Sequence, residues 1–184
     1  MTNPLKNVFH FAFCTLHFAL FIAFFSTPAA ALSTEQVSNV IVQPRSESIL
    51  VEAYLDPARA EPIMLVGGQF DRFLSSTMYI GGSISGAVSG GVGGYGLGAF
   101  SLGYRSELLS GLLVDLRCNV GGAGGGGVKA GGGLLVEPLI GLVWTLPAVE
   151  LKAQAGYLFF LTSNYSVPVL SVGVSFPFKH LYIP

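Results

Sequence analysis

Between Leu112 and Val120 the side chains alternate strictly. Leu112, Val114, Leu116, Cys118 and Val120 fall on one side of an extended chain, and Asp115, Arg117 and Asn119 on the other. A helix would scatter these charges around its circumference, so the spacing predicts a strand. The same period of two recurs elsewhere. From Tyr79 to Val92, Ile80, Ile84, Val88 and Val92 oppose Ser83, Ser85, Ala87 and Ser89. From Val149 to Thr162, Val149, Leu151, Ala153, Ala155, Tyr157, Phe159 and Leu161 oppose Glu150, Lys152 and Gln154. From Val167 to Phe178, Leu170, Val172, Val174, Phe176 and Phe178 oppose Ser171, Gly173 and Ser175. Gly94 to Arg105, Val128 to Trp144, Ser48 to Leu55 and Pro62 to Arg72 follow the pattern less cleanly, and with them the chain offers eight candidate strands.

Turn chemistry separates these segments. Breaks are expected near Asp56-Pro57, Leu74 to Ser76, Gly90-Gly91, Arg105 to Glu107, Gly121 to Gly127, Thr145 to Pro147 and Ser163-Asn164. Each connection is short, whereas a parallel pair needs a crossover of roughly a dozen residues or more, so consecutive strands must be antiparallel neighbours. No stretch remains for a helix that could cover a sheet. The expected fold is all-β: an antiparallel up-and-down β-barrel of about eight strands, closed so that no edge stays unpaired.

The N-terminus changes the setting of this barrel. One cation, Lys6, precedes an uncharged run from Val8 to Phe25, and the run ends in Ser26-Thr-Pro-Ala-Ala-Ala31. A short apolar run closed by small residues is the pattern of a secretory signal peptide, with cleavage expected after Ala31. An uncleaved anchor is the alternative, since the run approaches the roughly 20 residues of a bilayer span. A lipoprotein is disfavoured by Phe13, which stands before Cys14 where a small residue is needed. The organisation read from the chain is a signal peptide over 1–31, a flexible leader over 32–47, a barrel domain over 48–178 and a C-terminal extension over 179–184.

Composition narrows the function classes. Net charge is −1, so no basic stripe exists to track nucleic-acid phosphates. Charged residues make up only 10% of the chain, against roughly 25% in soluble domains, which leaves too little charge to cover a soluble monomer. Beyond Ala31 the only cysteine is Cys118 and the only histidine is His180. Neither a disulfide nor a metal-ligand set can be assembled from them, and no cofactor motif is present.

A tilted strand crosses a bilayer in roughly 9 to 11 residues, and the candidate strands reach that length. Tyr79, Tyr95, Tyr104, Trp144, Tyr157 and Phe178 supply a partial aromatic girdle. The export signal, the alternating strands and a closing strand that reaches Phe178 resemble the small eight-stranded outer-membrane β-barrels of Gram-negative bacteria. The resemblance covers roughly residues 48–178 and implies outer-membrane localisation, contact with membrane lipid and insertion by the outer-membrane assembly machinery. It also implies that both termini face the periplasm, with the connections near Pro57, Gly91, Gly124 and Asn164 facing outside.

Two other architectures compete. One is a soluble exported barrel or sandwich. The other is a glycine-zipper membrane helix, because Gly82, Gly86, Gly90, Gly94 and Gly98 recur at the four-residue spacing that lets helices pack closely. Against the helix, Asp115, Arg117, Lys129 and Glu137 leave the next segment with no uncharged partner of comparable length.

Candidate chemistry is sparse. With His180 outside the strand pattern, a Ser-His-acid triad has its only base in an implausible place, and the expectation is a non-enzymatic protein. Asp115, Glu137 and Glu150 are expected on or near the inner face, where they would pair with Arg117, Lys129 and Lys152 in a buried polar network, because lone charges inside a narrow barrel are costly. The tract Gly121 to Gly127 lacks the Lys-Ser/Thr ending of a nucleotide-binding loop and precedes a strand, so it reads as a permissive hairpin. Asn164-Tyr-Ser166 matches a glycosylation sequon, a three-residue match that matters only in a eukaryotic secretory pathway.

Two functions remain. One is a structural or interaction role in the cell envelope. The other is an apolar ligand or lipid held in the lumen, suggested by Leu113, Leu135, Leu139, Val143, Leu158 and Phe160 on the face opposite the lipid set. Short outward connections argue against a surface adhesin and place any specific activity in the lumen or at the periplasmic rim.

Overall fold

A computed structural model describes residues 41–182. The signal peptide, its cleavage site and most of the leader lie outside these residues. Eight strands follow one another: β1 (Ile41–Tyr54), β2 (Ile63–Phe73), β3 (Met78–Ala87), β4 (Gly96–Leu109), β5 (Leu112–Gly124), β6 (Leu134–Thr145), β7 (Glu150–Phe160) and β8 (Ser166–Tyr182). Each pairs antiparallel with its neighbours in sequence, and β8 returns to β1 to close the barrel. The expected architecture is therefore the observed one, and the segment read as a possible glycine-zipper helix forms β3, a connection and β4.

Several boundaries differ from the sequence expectation. The barrel begins at Ile41, inside the stretch read as leader, and β8 continues beyond Phe178 into the stretch read as an extension. These two ends pair with each other from Ile41↔Tyr182 inward, so each supplies the backbone partners that the other needs. At the opposite end of β3 the strand stops at Ala87, and Val92, read as its outward-facing end, is instead buried in the connection that follows. Arg105 to Glu107 do not turn. They continue β4 through a register shift near Leu109, and the chain reverses at Ser110-Gly111, where Gly111 holds φ at +77°. The tract Gly121–Gly124 likewise belongs to β5, and the bend is made by 125–133. There Gly125, at φ +94°, passes so close to the Gly94 carbonyl that a Cβ would overlap it.

Period-two alternation sets the two faces. The outward side chains are apolar and exposed, among them Ile49, Val66, Phe100, Leu102, Leu116, Ile140, Leu142, Val172 and Phe176. Cys118 is a free thiol on this outward face of β5. Tyr104, Trp144, Tyr157 and Phe178 also point outward, but Tyr79 and Tyr95, expected in the same girdle, are buried inside at 0% and 2% exposure. Tyr79 fits because its register partner on β4 is Gly103, where a Cβ would overlap the ring.

The two ends of the barrel are unequal. One carries the strand termini and the connections 74–77, 110–111 and 146–149; the other carries the longer connections 55–62, 88–95, 125–133 and 161–165. The longer connections are tied to one another. Arg59 Nη1 donates to the Gly90 carbonyl at 3.1 Å, the Gly132 amide to Thr162 Oγ1 at 2.7 Å, and the Tyr165 hydroxyl to Asp56 Oδ2 at 3.0 Å.

Candidate functional site

The inner face divides by depth into an apolar half and a charged half. Toward the loop end, Tyr54, Leu65, Leu97, Leu135, Leu158, Phe160, Val167 and Val169 form one buried cluster, with Val92, Tyr95 and Ala130 added from the connections. The rings of Tyr54 and Tyr95 meet edge to face at 6.3 Å between centroids. The loop end is thus stoppered by its own side chains. Leu135, Leu139, Leu158 and Phe160, read as possible ligand contacts, are at most 5% exposed and pack against protein. Val143 is fully buried toward the terminal end, and Leu113 is half-buried at that end's mouth.

Toward the terminal end the inward positions carry charge. Asp71 on β2 is the hub: Arg117 Nη2 donates to both its oxygens at 2.8 Å, Lys152 Nζ to Oδ2 at 3.2 Å and Gln69 Nε2 to Oδ2 at 2.8 Å. Lys152 Nζ also donates to Ser48 Oγ at 3.2 Å. A second hub is Asp115, which accepts from Tyr79 OH at 2.8 Å, Arg105 Nε at 3.3 Å and Gln154 Nε2 at 2.9 Å. Arg105 Nη1 then reaches Glu150 Oε2 at 3.0 Å. The Tyr79 ring serves both guanidinium groups, with Arg117 at 4.8 Å and Arg105 at 5.6 Å from its centroid. Six strands contribute to this network, so it locks the barrel across its diameter as well as along its seams.

A third group lies between the halves. Ser101 Oγ donates to Asn119 Oδ1 at 2.7 Å, Asn119 Nδ2 to Glu137 Oε2 at 2.7 Å, and Ser85 Oγ to Glu52 Oε2 at 3.3 Å. Glu137 Oε1 and the hydroxyls of Tyr54 and Tyr95 are buried without a hydrogen-bond partner among the described residues. Neither glutamate forms an ion pair among those residues.

Of the residues singled out in the sequence, Asp115, Arg117, Glu150 and Lys152 meet in the charged half. Glu137 is buried apart from them, held by Asn119. Lys129 is not in the lumen: it is exposed in the connection 125–133, beside Ala130, which turns inward in its place. Sequence reasoning missed Asp71, Arg105, Glu52 and Tyr79. Asp71 had a visible signal, because Gln69 and Asp71 share the inward parity of β2 with Ile63 and Leu65. Arg105 was hidden by its apparent place in a turn.

At the terminal mouth lies a vestibule of about 580 Å³ lined by Arg45, Ser46, Phe73, Thr77, Arg105 and Glu150, among others. Among the described residues no group of His, Cys, Asp and Glu side chains could hold a metal ion. At the loop end both groups of the Asp56–Tyr165 clasp are shifted. Burial favours the neutral Asp56 acid, but the Ala58 amide, the Tyr165 hydroxyl and the Arg59 guanidinium together hold its carboxyl below the usual aspartate value. Burial, with the adjacent Asp56 carboxylate, pushes the Tyr165 phenol up to about 12.

Comparison with protein-family models and with curated protein sequences finds no match. Solved structures do match. The N-terminal β-barrel domain of Pseudomonas aeruginosa OprF aligns with a TM-score of 0.58 at 16% identity, over 73% of this chain and 97% of that chain. A de novo designed transmembrane β-barrel aligns with a TM-score of 0.55 at 10% identity, over 73% and 95% of the two chains. The Yersinia pestis outer-membrane protein Ail, in a phospholipid bilayer nanodisc, aligns with a TM-score of 0.51 at 12% identity, over 73% and 99%. At these identities the likeness is one of fold, and the fold of this chain is that of the small eight-stranded outer-membrane β-barrels.

Proposed function

We propose that this protein is a non-enzymatic β-barrel embedded in the outer membrane, with a structural or interaction role in the cell envelope. The observation that carries the reading is the pairing of an apolar, exposed outer face with a lumen packed by its own side chains. A soluble barrel would need a polar exterior, whereas Phe100 at 72% exposure, Ile140 at 58% and Val172 at 57% stand where lipid would cover them. A pore would need an open lumen, but Asp71, Asp115 and Arg117 block one half and the Tyr54–Tyr95 stopper the other. The fold-level neighbours favour the same setting.

With an even number of strands both termini lie on one side, which we assign to the periplasm, so the short turns face inward and the four longer connections outward. Those connections bond mainly to one another, which suits a sealing cap better than a surface that grips a partner.

The test is reconstitution of the mature chain into planar bilayers after refolding in detergent. A folded, heat-modifiable barrel that gives no stepwise conductance is expected. Sustained ion conduction would contradict the sealed lumen. Native mass spectrometry that finds a bound apolar molecule would favour a ligand-holding lumen instead.

A further inference from the structure

Charge does not balance across the lumen. Among the described residues, five buried carboxyl groups face three buried cations. In the charged half Asp71, Asp115 and Glu150 pair with Arg105, Arg117 and Lys152, so three acids answer three cations. The two acids left over are Glu52 and Glu137, at 4% and 1% exposure. Their charges act on each other, and neither forms an ion pair among the described residues. Arg117, the buried cation whose charge reaches both, is held by Asp71. Two buried carboxylates without a counter-charge are costly, and a bound cation removes that cost.

Neutral oxygens beside the pair point the same way. The hydroxyls of Tyr54, Tyr95 and Ser171 are buried with no hydrogen-bond partner among the described residues, as is Glu137 Oε1. Ser171 is the register partner of Glu52 on β8, and Tyr54 stands two places along β1 on the same inward face. The charges of both glutamates act on the Tyr54 and Tyr95 phenols, which sets those two hydroxyls close to the pair. Asn119 and Ser85 each hold one oxygen of a carboxylate, at 2.7 and 3.3 Å, and so position the pair with oxygen to spare. A bridging water would meet the hydroxyls but leave two charges unbalanced.

We propose that this mid-lumen group binds one divalent cation of the calcium type. Glu52 and Glu137 supply the two charges, and the hydroxyl oxygens of Tyr54, Tyr95 and Ser171 complete an all-oxygen shell. Calcium takes roughly six to eight oxygen ligands in flexible geometry, whereas magnesium demands a near-ideal octahedron. The described residues offer no set of three or more Asp, Glu, His or Cys side chains. Those types alone therefore do not make the site, and the neutral hydroxyls are essential to it. With the Tyr54–Tyr95 stopper on one side and the charged half on the other, the ion enters as the barrel closes during folding. All the donors face inward, so the site does not depend on the membrane reading.

The test is refolding of the full mature chain from urea into non-ionic detergent, with a chelator, calcium chloride, or sodium chloride at matched ionic strength. After desalting, retained metal is counted by mass spectrometry and the thermal midpoint is recorded. About one calcium ion per chain is expected, with a midpoint that rises with the calcium concentration present at refolding. Glu137→Gln should weaken calcium binding by about tenfold or more. The double variant Glu52→Gln with Glu137→Gln carries no unpaired charge, so it should refold without calcium and ignore it. Glu107→Gln, at an exposed acid of the terminal mouth, should behave as the parent. Equal midpoints in chelator, calcium and sodium overturn the site, as does calcium retained equally by the double variant. A midpoint that ignores calcium and rises on acidification would show that protons neutralise the pair, and would overturn it too.

Discussion

The two halves of the lumen do the same job with different physics. In the loop-end half, Leu135, Leu158, Phe160 and Val167 exclude water by packing, and each side chain contributes in proportion to the area it buries. In the terminal-end half, Asp71, Arg117 and Lys152 are held by charge, and each is favourable only while its partners remain. The first half should therefore lose stability gradually on truncation. The second should fail as a unit, because a stranded charge among these buried side chains has no water to turn to.

The sharpest way to break this contrast is Asp71→Leu, which strands Arg117 and Lys152 together. A loss of about 3–5 kcal/mol is expected in urea titrations of folded protein in detergent. Replacing Arg117 and Lys152 by Met in the same chain should recover much of that loss, because no buried charge is then left unpaired. If the triple variant is no more stable than the single one, the charged half acts through packing and the contrast fails.

Next in size is Leu158→Ala, which opens a cavity in the loop-end cluster. It should cost about 3 kcal/mol in the same assay, within the usual range for a buried leucine. Its effect should add to that of Asp71→Leu, since the two sites share no partner. Strong coupling between them would show that the halves are one cooperative network.

The smallest effect lies outside both halves, at the Asp56–Tyr165 clasp. Because the folded Asp56 carboxyl sits below its ordinary 3.8, its contribution is complete above that value and is lost as pH falls through the lower, folded one. The Tyr165 hydroxyl remains a donor up to about pH 12. Proteolytic nicking of the 55–62 connection should thus stay flat on acidification to about pH 4 and rise below it. Asp56→Asn should nick faster at neutral pH and lose the step.

The two faces of β5 were plainer in the sequence than those of β6, and for a physical reason. In β5 the inward Asp115, Arg117 and Asn119 contrast with outward Leu116 and Cys118, so the period of two is plain. In β6 inward Leu135, Leu139 and Val143 alternate with outward Val136, Ile140 and Leu142, and two apolar faces give no alternation to read. The beginning of β1 was hidden by the opposite effect. Outward Arg45 and Glu47 sit near the terminal rim, where polar side chains replace apolar ones, and the stretch looked like a leader. Tyr95 and Lys129 were misassigned because both lie in connections, where no periodicity says which way a side chain turns. The vestibule was illegible for another reason: it joins Ser46, Thr77 and Arg105 from separate strands and a turn, and only closure of the barrel brings them together.

The claim on which the rest depends is that outward positions meet lipid while inward positions are sealed from both lipid and water. Nitroxide labels in a Cys118→Ser background, reconstituted in bilayers, test it directly. Labels at Phe100, Leu102, Leu116 and Val120 should relax strongly with lipid-soluble oxygen. Labels at Ser83, Ser101 and Asn119 should be shielded from oxygen and from a water-soluble nickel reagent alike. Nickel access at the inward positions, or an absence of alternation between the two sets, would contradict the sealed transmembrane barrel.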